Sequence, residues 1–238
     1  MLGASATRPR RVGHKGAAHI EPGNTLASFD AALHHGVDMI ELDVLSERPD
    51  GSGRLLVAHD YRDMREREPL PFERALEHLS GERFAGTELD VDVKWRGYEP
   101  RVLGTLGDFE LLGRTLLSSM FPESLDLIRA AEPGLRLGWS VPRVRRDYTK
   151  SIVFVIPALS ALVYMRRRLP GLAAGHIREG RVDAVMAHYR LATPELVKAV
   201  HGAGGELYVW TVDDAEQIRR LEAMGADAVI TNDPRLFA

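Results

Sequence analysis

Short apolar runs alternate with longer amphipathic runs from one end of the chain to the other. The short runs are rich in valine, isoleucine and leucine and have the length of strands. The longer runs repeat their apolar residues every three or four positions, which is the helical spacing. This pattern predicts eight strands, over residues 11–14, 39–44, 89–93, 115–118, 135–139, 184–187, 206–210 and 228–230.

Helices are predicted between these strands. Capping residues or prolines at the start, and in two cases a glycine at the end, mark helical runs over 24–36, 122–131, 193–203 and 213–225. Repeated strand and helix units imply a parallel sheet with helical crossovers. We therefore predict an α/β fold, a TIM (β/α)8 barrel forming a single domain over residues 1–238, because a closed barrel leaves no edge strand. An open doubly wound sheet is the alternative.

Composition narrows the class of protein. The 238 residues are 45% hydrophobic, with 31 lysines and arginines against 34 acidic residues and no cysteine. This excludes a disordered chain, a disulfide scaffold and a cysteine nucleophile, and it argues against a nucleic-acid partner, which would require a basic excess. The first residues lack the apolar run of a secretory signal, so we expect a cytoplasmic protein.

Residues able to do chemistry occur where the predicted strands end. Active sites of TIM barrels lie at the carboxyl ends of their strands, so this is the expected position. The residues are His14 and Lys15, Glu41 and Asp43, Asp92 and Lys94, Ser118 and Ser119, and Trp210. The acidic and basic pairs on the second and third strands have a spacing of two, so both members of a pair point to the same face.

Three of these residues predict a metal site. Glu41, Asp43 and Asp92 would bring three carboxylates together inside the barrel. Uncompensated buried charge is costly, so we expect a cation among them. Oxygen ligands suit a hard divalent cation, Mg2+ or Ca2+.

The ordered set of motifs resembles the glycerophosphodiester phosphodiesterase family. The resemblance is carried by His14-Lys15-Gly16, Pro22-Gly23-Asn24-Thr25, Glu41-Leu42-Asp43, His59-Asp60, Asp92-Val93-Lys94, Trp210-Thr211-Val212 and Ile230-Thr231-Asn232-Asp233-Pro234. It spans nearly the whole chain in the right order. It implies a metal-dependent TIM-barrel hydrolase that cuts a small-molecule glycerophosphodiester to an alcohol and glycerol phosphate.

The resemblance also implies roles for individual residues. His14 and His59 would be the general acid and base, and Glu41, Asp43 and Asp92 would hold the divalent cation. Lys15, Lys94, Asn24 and Trp210 would bind substrate, the lysines by neutralising phosphate and the tryptophan by packing against the apolar part. An adjacent glycerol hydroxyl would attack phosphorus, and water would then open the cyclic phosphate.

Four features depart from the family pattern. Lys15 stands where arginine is usual, which keeps the charge but loses the bidentate fork that suits phosphate. Gly23 replaces a glutamate, and Asp92 replaces a glutamate one methylene longer. A charged link over 61–70 replaces a longer stretch, so part of the usual pocket wall is expected to differ.

The segment 140–170 has its own character. Its net charge is +6, against −9 for the rest of the chain, and residues 152–165 carry no charge. One interpretation is a fully buried crossover helix preceded by a long loop. The other is an apolar element, flanked by arginines, that contacts an anionic membrane surface or covers the pocket, which would make the protein peripheral to the membrane.

Two other functions remain open. A barrel phospholipase that cleaves lysophospholipids shares the two histidines and the Glu-x-Asp pattern, and residues 152–165 would line its apolar pocket. A non-catalytic phosphate-binding module is suggested by the departures at Lys15, Gly23 and Asp92, although intact His14 and His59 argue against it.

Overall fold

A computed structural model of the chain describes residues 8–142 and 155–238. The strands in this part are β1 (Arg10–Gly13), β2 (Met39–Ser46), β3 (Leu55–Val57), β4 (Leu70–Pro71), β5 (Glu88–Val93), β6 (Thr115–Ser119), β7 (Arg136–Val141), β8 (Ala184–His188), β9 (Glu206–Trp210) and β10 (Ala228–Thr231). The helices are α1 (Leu26–His34), α2 (Asp63–Glu66), α3 (Phe72–Leu79), α4 (Glu99–Asp108), α5 (Pro122–Ala131), α6 (Val155–Arg178), α7 (Pro194–Gly202) and α8 (Ala215–Met224).

Eight of the described strands form a closed parallel barrel. Their order is β1-β10-β9-β8-β7-β6-β5-β2, and pairing of β1 with β2 completes the ring. The barrel prediction is confirmed and the open sheet is wrong. The eight barrel strands are the eight predicted ones, with bounds that differ by up to two residues at their ends.

The capping and stop residues predicted from the sequence lie at the ends of the observed helices. Thr25 caps α1 in a capping box with Ser28, and the side chains of Thr193 and Asp214 accept from the backbone at the starts of α7 and α8. Gly225 ends α8 with a φ of 95°, which favours glycine.

The charged link over 61–70 is partly regular in structure. It contains the short helix α2 and leads into β4. Strand β4 pairs antiparallel with β3, and β3 pairs antiparallel with the end of β2. The sequence analysis also did not predict α3 and α4. The four-residue helix α2 and the two-residue strand β4 are too short to show a period.

Apolar side chains fill the barrel interior on the amino-terminal side of the polar residues. Val12, Met39, Leu116, Met186 and Tyr208 are among the buried residues of this inner cluster. The opposite faces of the same strands pack against the helices in a larger core. The middle of the interior is therefore filled by apolar side chains, and polar side chains lie toward the two ends of the barrel.

An ion-pair ring closes the other end of the barrel. Arg10 and Arg136 each contact both Glu88 and Glu206, at 3.0 to 3.4 Å. Arg136 also donates to the Tyr208 hydroxyl at 2.8 Å. The four charged side chains are about one-third exposed. Each charge has two opposite partners, so the ring stabilises the closure more than an isolated surface pair would.

In the described part of segment 140–170, residues 140–141 end β7 and residues 155–170 belong to helix α6. Helix α6 supports the crossover interpretation, but Val163 is 49% exposed and Tyr164 is 63% exposed, so full burial is wrong there. The basic residues Arg143, Arg145, Arg146 and Lys150 and the apolar residues 152–154 lie outside the described residues. Within the described ranges, no helix is both long and apolar enough to cross a membrane.

The ion-pair ring generates a stability prediction. Replacing Arg136 by methionine leaves Glu88 and Glu206 with half of their positive partners, and we expect a loss of about 1 to 2 kcal/mol of unfolding free energy. Arg220→Met is the control, because Arg220 pairs with Glu216 on the surface of α8, and it should change stability by less than about 0.5 kcal/mol. Urea unfolding of both variants measures the difference. Equal losses would contradict the role given to the ring.

Candidate active site

Strand register brings the candidate acids to one level of the barrel. In the β2–β5 pair, Asp43 lies opposite Asp92 and Glu41 lies opposite Asp90. Side chains two residues apart share a face, so all four carboxyl groups point inward. Glu41, Asp43 and Asp90 are buried, and the Asp92 side chain is 13% exposed. Asp90 was missed by sequence reasoning, although its spacing from Asp92 and Lys94 was a sufficient signal.

The loop after β1 is built to hold Glu41. Lys15 and Gly16 have φ values of 52° and 80°, in the left-handed region. This turn lets the Lys15 backbone N–H donate to Glu41 Oε2 at 2.7 Å and the Gly16 N–H donate to the Glu41 carbonyl oxygen at 3.1 Å. A Cβ at Gly16 would lie 2.6 Å from the Ser28 carbonyl oxygen, so only glycine fits.

Asn24 orients the second carboxylate. Its Nδ2 donates to Asp43 Oδ2 at 2.8 Å, and its Oδ1 accepts from the Asp43 backbone N–H at 3.2 Å. Asn24 has a φ of 61°, a conformation that asparagine tolerates better than most residues. Both ends of the amide are engaged by Asp43, so Asn24 positions this carboxylate, and its contact with substrate stays a prediction.

Two lysines supply positive charge beside these acids. Lys94 Nζ lies 3.0 Å from Asp43 Oδ1 and 2.8 Å from Asp92 Oδ2, with its side chain 10% exposed. Lys15 Nζ lies 3.7 Å from Asp43 Oδ2. A Cβ at Gly23 would lie 3.0 Å from the Lys15 Cβ, so Lys15 fills the space beside that glycine.

Glu41, Asp43 and Asp92, here called the carboxylate cluster, fit a metal ion. Each offers an oxygen within 4.8 Å of the others. Asp92 Oδ1 is buried and has no hydrogen-bond partner in the described part of the chain. A buried carboxylate oxygen without a donor is costly unless something else binds it. An all-oxygen set matches a hard divalent cation.

The pKa shifts follow from burial and crowding. Burial and the Asp43 carboxylate raise the pKa of Glu41 well above its ordinary value. Burial acts in the same direction on Asp43, but Lys94 and Lys15 outweigh it and hold the pKa of Asp43 well below its ordinary value. Burial raises the pKa of Asp92 against the opposing charge of Lys94. A cation in the cluster would favour the ionised forms of Glu41 and Asp92.

Asp90 lies next to the carboxylate cluster and differs from it in its protonation state. Its Oδ1 accepts a hydrogen bond from the Ser118 hydroxyl at 2.7 Å. Burial raises the pKa of Asp90 to about 8, even though the Ser118 hydrogen bond lowers it. Near neutral pH this carboxyl group is mainly protonated, which limits the negative charge in the barrel interior.

His14 lies beside the cluster at the end of β1. Its Nδ1 lies 2.6 Å from Asn232 Oδ1, and its Nε2 lies 3.8 Å from Glu41 Oε2. Burial, together with the charge of Lys15, lowers the pKa of His14 to about 4. The imidazole is therefore neutral near neutral pH, with one ring nitrogen free to accept a proton.

His59 occupies a more open position. It follows β3, its side chain is 46% exposed, and its Nδ1 lies 3.1 Å from Asp60 Oδ2. Its backbone N–H donates to Asp63 Oδ2 at 3.0 Å. Asp63 begins α2, so the region 61–70 helps to hold the second candidate histidine.

Trp210 lies at the end of β9, on the same side of the barrel. Its indole N–H donates to the Met186 carbonyl oxygen at 2.7 Å. Its ring packs edge-on against His188, with 5.2 Å between ring centroids. This hydrogen bond fixes the half-buried indole while leaving part of the ring exposed, as a substrate contact would require.

Comparisons with known proteins identify the family of this chain. The sequence profile of the glycerophosphoryl diester phosphodiesterase family matches residues 14–67 and 111–236. A glycerophosphodiester phosphodiesterase of Caldanaerobacter subterraneus subsp. tengcongensis is 26% identical over 257 residues, covering 94% of this chain and 93% of that protein. One of Arabidopsis thaliana is 27% identical, covering 96% of this chain and 72% of that protein.

Solved structures show the same fold. A glycerophosphodiester phosphodiesterase from Parabacteroides distasonis superposes with a TM-score of 0.73 at 17% identity, covering 96% of this chain and 94% of that one. A phosphodiesterase from Oleispira antarctica, solved with its product sn-glycerol-3-phosphate, gives 0.68 at 18% identity, covering 96% and 94%.

The profile match includes His14, Glu41, Asp43 and His59 but not the stretch 68–110, which holds Asp92 and Lys94. For those two residues the strand register and the contacts with Asp43 supply the placement. The matched residues make up well over half of the chain, and the chain belongs to the glycerophosphoryl diester phosphodiesterase family.

Proposed function

We propose that this protein hydrolyses glycerophosphodiesters to an alcohol and glycerol phosphate, with a divalent cation, Mg2+ or Ca2+, held by the carboxylate cluster. The observation that carries the proposal is the meeting of three carboxylates with a largely buried histidine at the catalytic end of the barrel. Family membership supports the same reaction. A bound cation would neutralise diester oxygens, which otherwise repel an incoming hydroxyl.

The lysines support the binding of an anionic substrate. Lys94 bridges Asp43 and Asp92, and Lys15 lies near Asp43. Once a cation shares these carboxylates, less of each lysine charge is compensated by the protein. In this proposal both ammonium groups then attract phosphate oxygens, Lys15 as a point charge rather than a fork.

The two histidines divide the proton transfers. His14 is proposed to accept the proton of the attacking glycerol hydroxyl at Nε2, because Nδ1 is engaged by Asn232. His59 is proposed to protonate the leaving alcohol oxygen. Water then opens the cyclic phosphate, with the two roles reversed.

The main prediction concerns cleavage of the substrate and its dependence on a divalent cation. The protein should release alcohol from glycerophosphocholine or a related glycerophosphodiester, lose that activity in excess chelator, and regain it with Mg2+ or Ca2+. Lysophosphatidylcholine is assayed in parallel, because preferential cleavage of it would favour the phospholipase alternative. Full turnover in chelator, with no metal bound, would contradict the proposed cofactor. Phosphate-ester binding without turnover of any diester would favour the non-catalytic module.

A second prediction tests the proton carriers. His14→Ala and His59→Ala should each lower kcat by about 100- to 10,000-fold, the usual contribution of general acid–base catalysis. Neither histidine is assigned to the metal, so metal affinity measured by calorimetry should stay within a few-fold of the wild type. His19→Ala is the control, since His19 is an exposed histidine of the same β1–α1 loop. Wild-type kcat in both test variants would remove the assignment.

Helix α6 supports a further proposal about the setting of the enzyme. The helix has no acidic residue, and its exposed face combines Val163 and Tyr164 with Arg167 and Arg168. Arg166 Nε donates to the Arg190 carbonyl oxygen at 2.7 Å, just after the carboxyl end of β8. This face therefore lies beside the catalytic end of the barrel. We propose that it contacts anionic lipid, with the protein otherwise located in the cytoplasm.

Vesicle binding tests the lipid contact. The wild type should sediment with phosphatidylserine vesicles at low salt and less at physiological salt, because each basic residue contributes about 1 kcal/mol and salt screens it. Arg167→Gln with Arg168→Gln should weaken binding without slowing cleavage of a small diester. The matched control is Arg219→Gln with Arg220→Gln on α8, which removes the same charge from another surface. No sedimentation of the wild type at any salt concentration would refute the proposal.

A further inference from the structure

A hydrogen-bonded chain leads from His14 through Asn232 to Asp213, a residue to which the proposed reaction gives no role. The loop after β10 carries Asn232, whose Oδ1 lies 2.6 Å from His14 Nδ1. Asn232 in turn contacts Asp213, which follows β9 by three residues. Three loops at the catalytic end of the barrel are thereby joined through side chains.

Asp213 determines which way the Asn232 amide faces. Asn232 Nδ2 donates to Asp213 Oδ2 at 2.7 Å, and the Asn232 backbone N–H donates to Asp213 Oδ1 at 2.8 Å. An ionised carboxylate only accepts hydrogen bonds. A reversed amide would set its carbonyl oxygen against that carboxylate and lose the hydrogen bond. The Asn232 carbonyl oxygen is therefore held toward His14.

This orientation selects the tautomer of His14. Because Asn232 Oδ1 can only accept, His14 Nδ1 must carry the proton, and the lone pair of the neutral ring is then on Nε2. Nε2 is the nitrogen on the side of the carboxylate cluster, 3.8 Å from Glu41 Oε2. We infer that Asp213 and Asn232 are positioning residues that keep His14 in the Nδ1–H tautomer. The inference rests on the proposed function for its effect on rate, but not for the tautomer itself.

The local structure does not otherwise require Asp213. The N-cap of α8 is Asp214, whose side chain accepts from the Gln217 N–H at 2.8 Å. Both oxygens of Asp213 are instead directed to the loop after β10, including a contact of 3.1 Å from the Thr231 hydroxyl. The Asp213 carboxylate thus contacts Asn232, the residue that holds His14, and does not cap helix α8.

The test uses an isosteric change. In Asp213→Asn, residue 213 gains a donor, so the Asn232 amide can reverse and present N–H groups to His14. The ring should then shift to the Nε2–H tautomer, and kcat should fall about 10- to 100-fold with little change in KM, as when other orienting partners are lost. Proton–nitrogen correlation spectra of histidine-labelled protein distinguish the tautomers directly, and the His14 signals are identified by their absence in His14→Gln.

A compensating change provides the rescue. Adding Asn232→Asp to Asp213→Asn reverses the polarity of the pair. The new amide at position 213 then donates to the new carboxylate at position 232, and a fixed acceptor again faces His14. The double variant should recover the Nδ1–H tautomer and most of kcat. Asp227→Asn is the control, because Asp227 accepts from the Leu207 N–H and from His201 in a similar way at the opposite end of the barrel. It should change neither the His14 signals nor kcat.

The outcomes separate this inference from the proposed function. A wild-type spectrum with the proton on Nε2, or Asp213→Asn with unchanged tautomer and unchanged kcat, would overturn the positioning role. Loss of kcat in Asp213→Asn that the double variant does not recover, with the tautomer unchanged, would mean that Asp213 acts only on loop structure. If the wild type has no diesterase activity, the proposed function fails, and the spectra alone still decide whether Asp213 and Asn232 set the tautomer.

Discussion

The carboxyl end of the barrel has to accommodate more acid than base. Within the described residues, strands β2 and β5 place four carboxyl groups inside the barrel, and two lysines lie among them. Burial makes each uncompensated charge expensive. Three features of the surrounding structure reduce the cost of this buried negative charge. Asp90 is mainly protonated near neutral pH, and Lys94 bridges Asp43 and Asp92. Backbone N–H groups of the β1–α1 loop donate hydrogen bonds to Glu41. The remaining deficit of positive charge fits the proposed divalent cation, whose charge would in turn attract the proposed anionic diester.

The two ends of the barrel therefore have different physical tasks. Apolar side chains fill the barrel interior between the acids and the amino ends of the strands. At those amino ends lies the ion-pair ring of Arg10, Arg136, Glu88 and Glu206, in which every charge has two opposite partners. Those contacts stabilise the closed sheet without any ligand. At the catalytic end, the buried acids of β2 and β5 repel one another, so part of the stability of this end depends on what it binds.

Patterns of short range were enough to predict the barrel and most of the site. Each strand carries its own apolar run, and the spacing of two residues places Asp43 with Glu41 and Lys94 with Asp92. The unpredicted parts depend on distant pairing. The contact of His14 with Asn232 joins residues 218 positions apart, and Asn232 meets Asp213 only because β9 and β10 are neighbours. The choice between a buried and an exposed α6 was also beyond prediction, since an apolar run does not reveal which of its residues a neighbour covers.

The departures from the family pattern are coupled through the structure. Lys15 fills the space beside Gly23, so a side chain at position 23 would compete with the lysine stem, and these two departures form one local change. Lys15 then approaches Asp43, while Lys94 joins Asp43 to the shorter acid at position 92. Asn24 fixes the orientation of the same carboxylate. Asp43 is thus the residue on which the altered contacts converge, and its pKa is shifted in the opposite direction from those of Glu41 and Asp92. A site arranged in this way offers the proposed cation one carboxylate whose ionised form the two lysines favour, whereas burial opposes the ionised forms of Glu41 and Asp92.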